Sequence, residues 1–244
     1  MVDRAFYDNS LAELYDALNP WGPGDEFYLD LVMDASAVLD VGCGTGRLLS
    51  RARRAGHGGR LAGLDPARAM LDQAPAEADV EWVLGDLNSM EPHGEFDLIV
   101  MTGHAFQVLV EDEELLFSLT AIRSALTDDG RFVFETRNPL VRPWESWTPE
   151  NAVEVADTTG TVVRVWHEVG TPVTEDVVHF TETYSSPRWD RPRVSHSSLR
   201  FLDANSLVSF LSRAGLAVEE QFGDWARQEL TGTSPEIITL AGRR

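Results

Sequence analysis

The chain contains no lysine: all 20 of its basic residues are arginine. A Schiff base to substrate or to pyridoxal phosphate needs a lysine amine, so that chemistry is excluded. A Walker A phosphate loop is excluded as well, because it carries lysine after its last glycine. Cysteine is almost as scarce. A single thiol, Cys43, rules out an intramolecular disulfide and a cysteine-cluster metal site and suits a reducing cytoplasm. No apolar run approaches the ~18 residues of a membrane span, and the start MVDRAFYDNS lacks the basic-then-apolar order of a secretory leader. The expectation is a soluble cytoplasmic protein with no membrane partner. Positive charge is also short, with 20 basic against 40 acidic residues and a formal net charge of −20. Such a chain repels phosphate backbones, so nucleic acid is a poor partner. The acids are spread along the chain, as on an ordinary solvated surface.

At 244 residues with 43% hydrophobic content, the chain is long enough for one α/β domain with an elaboration. Its most informative stretch is Val38 to Arg47, VLDVGCGTGR. The run Ala37-Val38-Leu39 with Val41 has the apolar character of an interior parallel strand. Asp40 ends that run, and then come Gly42, Gly44 and Gly46, which can bring backbone N–H groups close to a ligand where a helix begins. A tight turn without any ligand would use the same glycines. The dinucleotide fingerprint G-x-G-x-x-G/A is missed, because Arg47 stands where Gly or Ala is required.

Asp40-Val41-Gly42-Cys43-Gly44-Thr45-Gly46 resembles the first motif, (D/E)xGxGxG, of class I S-adenosylmethionine-dependent methyltransferases. The downstream strands keep the order of that family. Leu61 to Asp65 reads as a second strand ending in an acid, and a carboxylate there can accept two hydrogen bonds from a ribose diol. Val80 to Leu84 with Gly85-Asp86-Leu87 reads as a third strand, whose acid in the family bonds the adenine amino group. Phe96 to Met101 and Gly130 to Glu135 read as a fourth and a fifth. The resemblance implies a Rossmann-like, doubly wound, seven-stranded α/β sheet with an antiparallel last strand. It implies a cofactor site built by Asp40, Gly42, Cys43, Gly44, Gly46, Asp65, Pro66, Asp86, Leu87 and Met101, with Cys43 as a small wall residue.

Before the first strand, Phe6, Leu11, Leu14, Tyr15 and Leu18 have roughly helical spacing, and a second helix is expected from about Asp25 to Met33. After the fifth strand the pattern changes to consecutive strands. Val162–His167, Val177–Tyr184 and Val194–Phe201 each alternate, which predicts an antiparallel meander. The expected organisation is an amino-terminal helical cap over 1–35, a core over 36–138 and 203–244, and a substrate lid inserted over 139–202. Asp203 or Asn205 is expected to cap the next helix, which stops at Gly215. Strands over Ala217–Phe222 and Glu236–Leu240 complete the chain.

Methyl transfer from a sulfonium needs alignment, exclusion of water and, for a hydroxyl or protonated amine, removal of a proton. His104, in the loop after the fourth strand, is the expected base, with a loop-bonding structural histidine as the other reading. Tyr7, Gln107, Arg137, Asn138 and Trp144 are expected to touch substrate. Arg137 presents a planar fork for a carboxylate, although a pair with Glu135 is equally open. Trp144, Trp147, Trp166 and Trp189 suggest an aromatic wall. His167, His179 and His196 could share a face of the lid sheet, but no metal site is expected. The (D/N)PP(Y/F) motif of amino-directed DNA methyltransferases is absent. The expectation is methyl transfer to an oxygen or nitrogen of a small metabolite by a monomer or homodimer. A non-catalytic adenosylmethionine-binding or interaction protein, or a nicotinamide oxidoreductase, remains as an alternative.

Overall fold

The apolar spacing over 3–18 predicts one helix, and the chain forms three single turns instead: α1 (Arg4–Tyr7), α2 (Asn9–Ala12) and α3 (Tyr15–Leu18). The break lies at Asp8. Its backbone is extended, and its carboxylate accepts from Ser10 N while holding Arg4 and Arg193. The second helix, α4 (Pro23–Asp34), starts at a proline, and the Asp25 carboxylate accepts the Gly22 N–H at 2.8 Å. This computed structural model describes residues 2–76, 79–89, 93–173 and 176–244.

The core alternates strand and helix as the sequence predicts: β1 (Ala37–Val41), α5 (Arg47–Arg54), β2 (Arg60–Asp65), α6 (Arg68–Leu71), β3 (Glu81–Leu84), β4 (Phe96–Met101), α7 (Asp112–Ala125) and β5 (Leu126–Arg137). α7 opens with Asp112, Glu113 and Glu114, favourable at a helix amino terminus. It buries Leu115, Leu119 and Ile122, one apolar stripe at helical spacing. Leu39, Ile99, Phe132 and Phe134 fill one face of the sheet, whereas Val38, Val100 and Val133 fill the other under α4 and α5. Both faces are covered, which is why these strands read as continuous apolar runs.

Residues 139–202 form a second sheet of four strands: β6 (Val153–Ala156), β7 (Val162–Val169), β8 (Val177–Ser185) and β9 (Arg193–Arg200), paired in that order and antiparallel. β6 is a strand beyond the three the alternation predicts. It is a short, largely exposed edge joined to β7 by a turn in which Asp157 accepts from Thr159 N and Thr161 N. Register decides which residues share a face. His167 lies opposite Glu182, and Val165 opposite Tyr184, on the face that packs Val163, Val165 and Tyr184 against Ala5, Leu11 and Leu14. His179 pairs with Ser198, and His196 with Thr181, on the opposite face. The three histidines therefore do not share a face, because strand neighbours alternate and His179 is three residues from Glu182. Among the described residues no group of three or more His, Cys, Asp or Glu side chains is placed to hold a metal ion.

α8 (Ala204–Arg213) is capped by Asp203, whose carboxylate accepts from Ser206 N at 2.8 Å, and Gly215 follows at φ 78°. β10 (Leu216–Phe222) and β11 (Glu236–Arg243) complete a seven-stranded sheet of order β10-β11-β5-β4-β1-β2-β3. β11 runs antiparallel between β5 and β10. Its first residue therefore lies beside the carboxyl ends of the parallel strands, where open α/β sheets bind ligands. Among the described residues no helix is long and apolar enough to cross a membrane.

Candidate active site

A cavity of about 1350 Å³ lies over the carboxyl ends of the strands, between the cap, the loops of the core and the inserted sheet. At one end its wall is the glycine loop. Gly42 and Gly44 face the cavity with φ of 76° and 56°. A Cβ on Gly42 would come within 2.9 Å of the Ala105 side chain, so glycine is required there for conformation and for room. Asp65 lines the same end. Its carboxylate accepts from Gly44 N and from Ala67 N, each at 2.8 Å, and so fixes the loop from the neighbouring strand. Burial pushes its pKa up, against those two hydrogen bonds. Pro66, Asp86, Leu87 and Met101 also reach the cavity, and Asp86 uses one oxygen on Asn88 N.

Three expected members of this wall stand behind it. Asp40 is fully buried beneath the loop, and neither of its carboxyl oxygens has a hydrogen-bond partner among the described residues. Burial first, and then the charges of Asp65 and Glu135, push its pKa up to about 8. Cys43 is buried beside Gly63 and Trp82 rather than on the cavity, and burial pushes its thiol far above the ordinary range. That environment makes it inert. Gly46 has φ 70° and opens α5, and an added Cβ would overlap the Trp82 ring. Its smallness serves packing.

His104 and Arg137 line the middle of the cavity. His104 sits in the left-handed region at φ 63°, and its backbone N–H donates to Glu135 Oε1 at 2.8 Å. The other Glu135 oxygen accepts the Tyr28 hydroxyl. Burial pushes the Glu135 carboxyl up from its ordinary value, opposed by His104 and by both hydrogen bonds. His104 Nε2 faces both oxygens of Glu236, at 3.0 and 3.2 Å. Glu236 was not among the expected residues. Its signal was its place at the start of an antiparallel last strand, which puts it opposite Arg137.

Arg137 does not pair with Glu135, whose oxygens are committed elsewhere. Its Nη1 donates to Gln107 Oε1 at 3.1 Å, and its guanidinium lies over the Trp147 ring, 5.5 Å from the centroid. Gln107 is itself buried, with its amide donating to Arg200 O at 2.9 Å, so it braces Arg137 instead of facing the cavity. Asn138 is likewise spent. Its amide donates to Thr231 O and Ser234 O and its carbonyl accepts Leu140 N, which fixes the exit of β5. Tyr7 points outward at 58% exposure, and Phe6 and Tyr15 of the cap line the cavity in its place. Trp144 packs on Phe201 and borders a separate cavity of about 770 Å³ with Trp147. Trp166 and Trp189 lie under Arg164 and Arg193. The expected tryptophan wall is therefore absent from the main cavity. The inserted sheet gives it His167 and Glu182, 3.3 Å apart, with Ser197.

Residues 38–130 match the family model described as "Methyltransferase domain". Over that stretch the chain is similar to methyltransferase domains. Over 147 residues it is 30% identical to the cypemycin N-terminal methyltransferase of a Streptomyces species, covering 57% of this chain and 59% of that protein. The chain spans 59% and 43% of the lengths of the curated relatives it matches. Solved structures share the fold along nearly the whole chain. The CcbJ methyltransferase from Streptomyces caelestis superposes with a TM-score of 0.75 at 18% identity, over 98% of both chains. CalS10 from Micromonospora echinaspora, an amino pentose methyltransferase described with S-adenosylmethionine bound, gives 0.67 at 22% identity over 95% of this chain and 97% of that one. An adenosyl cofactor fits the glycine-loop end of the cavity, where the wall is glycine backbone flanked by the acids Asp65 and Asp86.

Proposed function

We propose that this chain is an S-adenosylmethionine-dependent methyltransferase that acts in the cytoplasm on a nitrogen or oxygen of a small molecule. The observation that carries this reading is the continuity of one cavity from the glycine loop, past His104, to the inserted sheet. A methyl donor held by Gly42, Gly44, Asp65 and Asp86 and an acceptor held under the sheet would meet in the middle. The cofactor supplies an activated methyl group on a sulfonium. The residues of the chain supply the rest: Asp65 and Asp86 hold the nucleoside, the cap and the inserted sheet exclude water, and Arg137 and Glu182 orient the acceptor.

Nitrogen is the favoured acceptor atom. Asp3 of the cap and Glu182 of the inserted sheet both line the acceptor end, close enough for the Glu182 charge to raise the Asp3 carboxyl in addition to its burial. Two acids in one pocket suit an ammonium that must be held and then deprotonated. The N-terminal amine methylated by one relative, and the amino pentose of another, support the same choice.

The test is calorimetric titration with S-adenosylmethionine, S-adenosylhomocysteine and NADH, followed by mass spectrometry of incubations with panels of small amines and alcohols. Micromolar binding of both adenosyl ligands and a gain of one methyl on an amine are expected. Binding of NADH alone would overturn the cofactor. Adenosyl binding with no product from either panel would favour a binding protein over an enzyme.

A further inference from the structure

His104 is held at three points. Its backbone lies in the left-handed region at φ 63°, directly after Gly103 at φ 64°. For a residue with a Cβ that conformation is strained and persists only where the surroundings enforce it. Glu135, from β5, enforces it by accepting the His104 N–H. The ring is fixed by Glu236, from β11, at 3.0 and 3.2 Å from Nε2. Both side chains are mostly enclosed, at 19% and 15% exposure.

An ionised carboxylate can only accept, so the ring nitrogen that faces Glu236 carries the hydrogen. Nδ1 is then the basic nitrogen of the neutral ring, and it has no partner among the described residues. His104 lines the cavity and Glu236 does not, so the carboxylate lies behind the ring relative to the ligand space. Arg137 stands opposite Glu236 in the strand pair without bonding to it, and the Glu236 charge favours the Arg137 cation against its burial. The remaining charged or titratable groups around the ring are Glu135, Tyr28 behind it, and Tyr15 of α3, whose hydroxyl approaches Gly103.

We propose that Glu236 is a positioning residue that holds His104 in the Nε2–H tautomer, so that Nδ1 takes the proton from the acceptor as it is methylated. The proposal rests on the methyltransferase reading of the chain. In the step, the acceptor N–H or O–H bond breaks and its proton passes to Nδ1. The acceptor lone pair forms the new bond to the methyl carbon, and the carbon–sulfur pair leaves with the sulfur, which becomes a neutral thioether. The imidazolium that results is stabilised by Glu236.

The test uses the whole chain and three variants, Glu236→Gln, His104→Asn and the double variant. General-base assistance is worth at least about a hundredfold, so His104→Asn should lower kcat by that much and remove the acidic limb of its pH profile. Glu236→Gln should lower kcat on the order of tenfold, leave the Kd for S-adenosylmethionine unchanged, and move the acidic limb to lower pH, because a missing counter-charge makes the imidazolium easier to deprotonate. The double variant should be no slower than His104→Asn. A Glu236→Gln enzyme with wild-type kcat and pH profile, or additive losses in the double variant, would overturn the proposal. Ring nitrogen NMR shifts, assigned by their loss in His104→Asn, give a readout independent of turnover. A proton on Nε2 in the wild type, released in Glu236→Gln, is expected. A proton on Nδ1 would overturn the proposal even if no acceptor were ever methylated.

Discussion

Arg193 Nη1 of β9 lies 3.2 Å from the Asp8 carboxylate, the residue at which the amino-terminal helical segment breaks. The same carboxylate is bonded by Arg4 and accepts from Ser10 N, so one acid both bends the cap and fastens it to the inserted sheet. Next to it, Ala5 N donates to the buried Ser195 hydroxyl at 3.0 Å.

Removing this clamp should loosen the cap without unfolding the core. Arg193→Ala is expected to cost no more than about 1 kcal/mol, the value of a partly exposed ion pair. Amide exchange over residues 4–18 should accelerate while exchange in β1, β4 and β5 stays unchanged. Uniform acceleration across the sheet would show that the cap is not a separate unit.

Gly46 should tolerate no side chain. Gly46→Ala combines a left-handed φ of 70° with a Cβ that overlaps the Trp82 ring. The sum of backbone strain and overpacking is about 2–5 kcal/mol, measurable by denaturant unfolding. Pairing it with Trp82→Ala should relieve the overlap but not the strain, so part of the loss should persist relative to Trp82→Ala alone.

Asp40 should make stability fall as pH rises. Its carboxyl has a folded pKa of about 8 against a reference of 3.8, so the folded state holds a proton that the unfolded state releases. Stability from this group is complete below about pH 4 and is lost progressively up to about pH 8, amounting to several kcal/mol at roughly 1.4 kcal/mol per unit. Asp40→Asn cannot ionise. The difference in Tm between that variant and the wild type should therefore move in favour of the variant between pH 5 and pH 9, and a constant difference would contradict the burial argument.

Asp65 should matter twice. Asp65→Ala removes acceptors for Gly44 N and Ala67 N as well as a group facing the cavity. Binding of S-adenosylmethionine should weaken by about 1.5–3 kcal/mol in calorimetry, the range for hydrogen bonds to a charged group. Unchanged affinity would remove Asp65 from the cofactor site and leave it as a loop brace.

The parallel half of the fold was legible because every signal in it is local. A strand and an acid recur within a few residues at β1, β2 and β3, with glycines after the acid at β1 and before it at β3, and a capping acid and a closing glycine mark α8. What was missed depends on partners far apart in sequence. Glu236 meets His104 across 132 residues, and only the placement of β11 beside β5 brings them together. Tyr7 and Phe6 are adjacent, so assigning the wrong one needed only a one-residue error in a helix that Asp8 interrupts. Gln107, Asn138 and Trp144 are the residue types that bind polar or aromatic ligands, but each is occupied by backbone carbonyls or by a neighbouring ring. Composition cannot show that. The three lid histidines were misjudged for a simpler reason: which face a strand residue takes depends on a register that alternation alone does not number.

The cap is fastened at both ends of the cavity. Thr45 of the glycine loop donates to Asp16 at 2.8 Å, and Arg47 reaches the Asn19 carbonyl, while Ala5 and Asp8 grip β9. One short stretch of chain thus roofs both ligand positions. A cap loosened at either end would therefore uncover the two positions together.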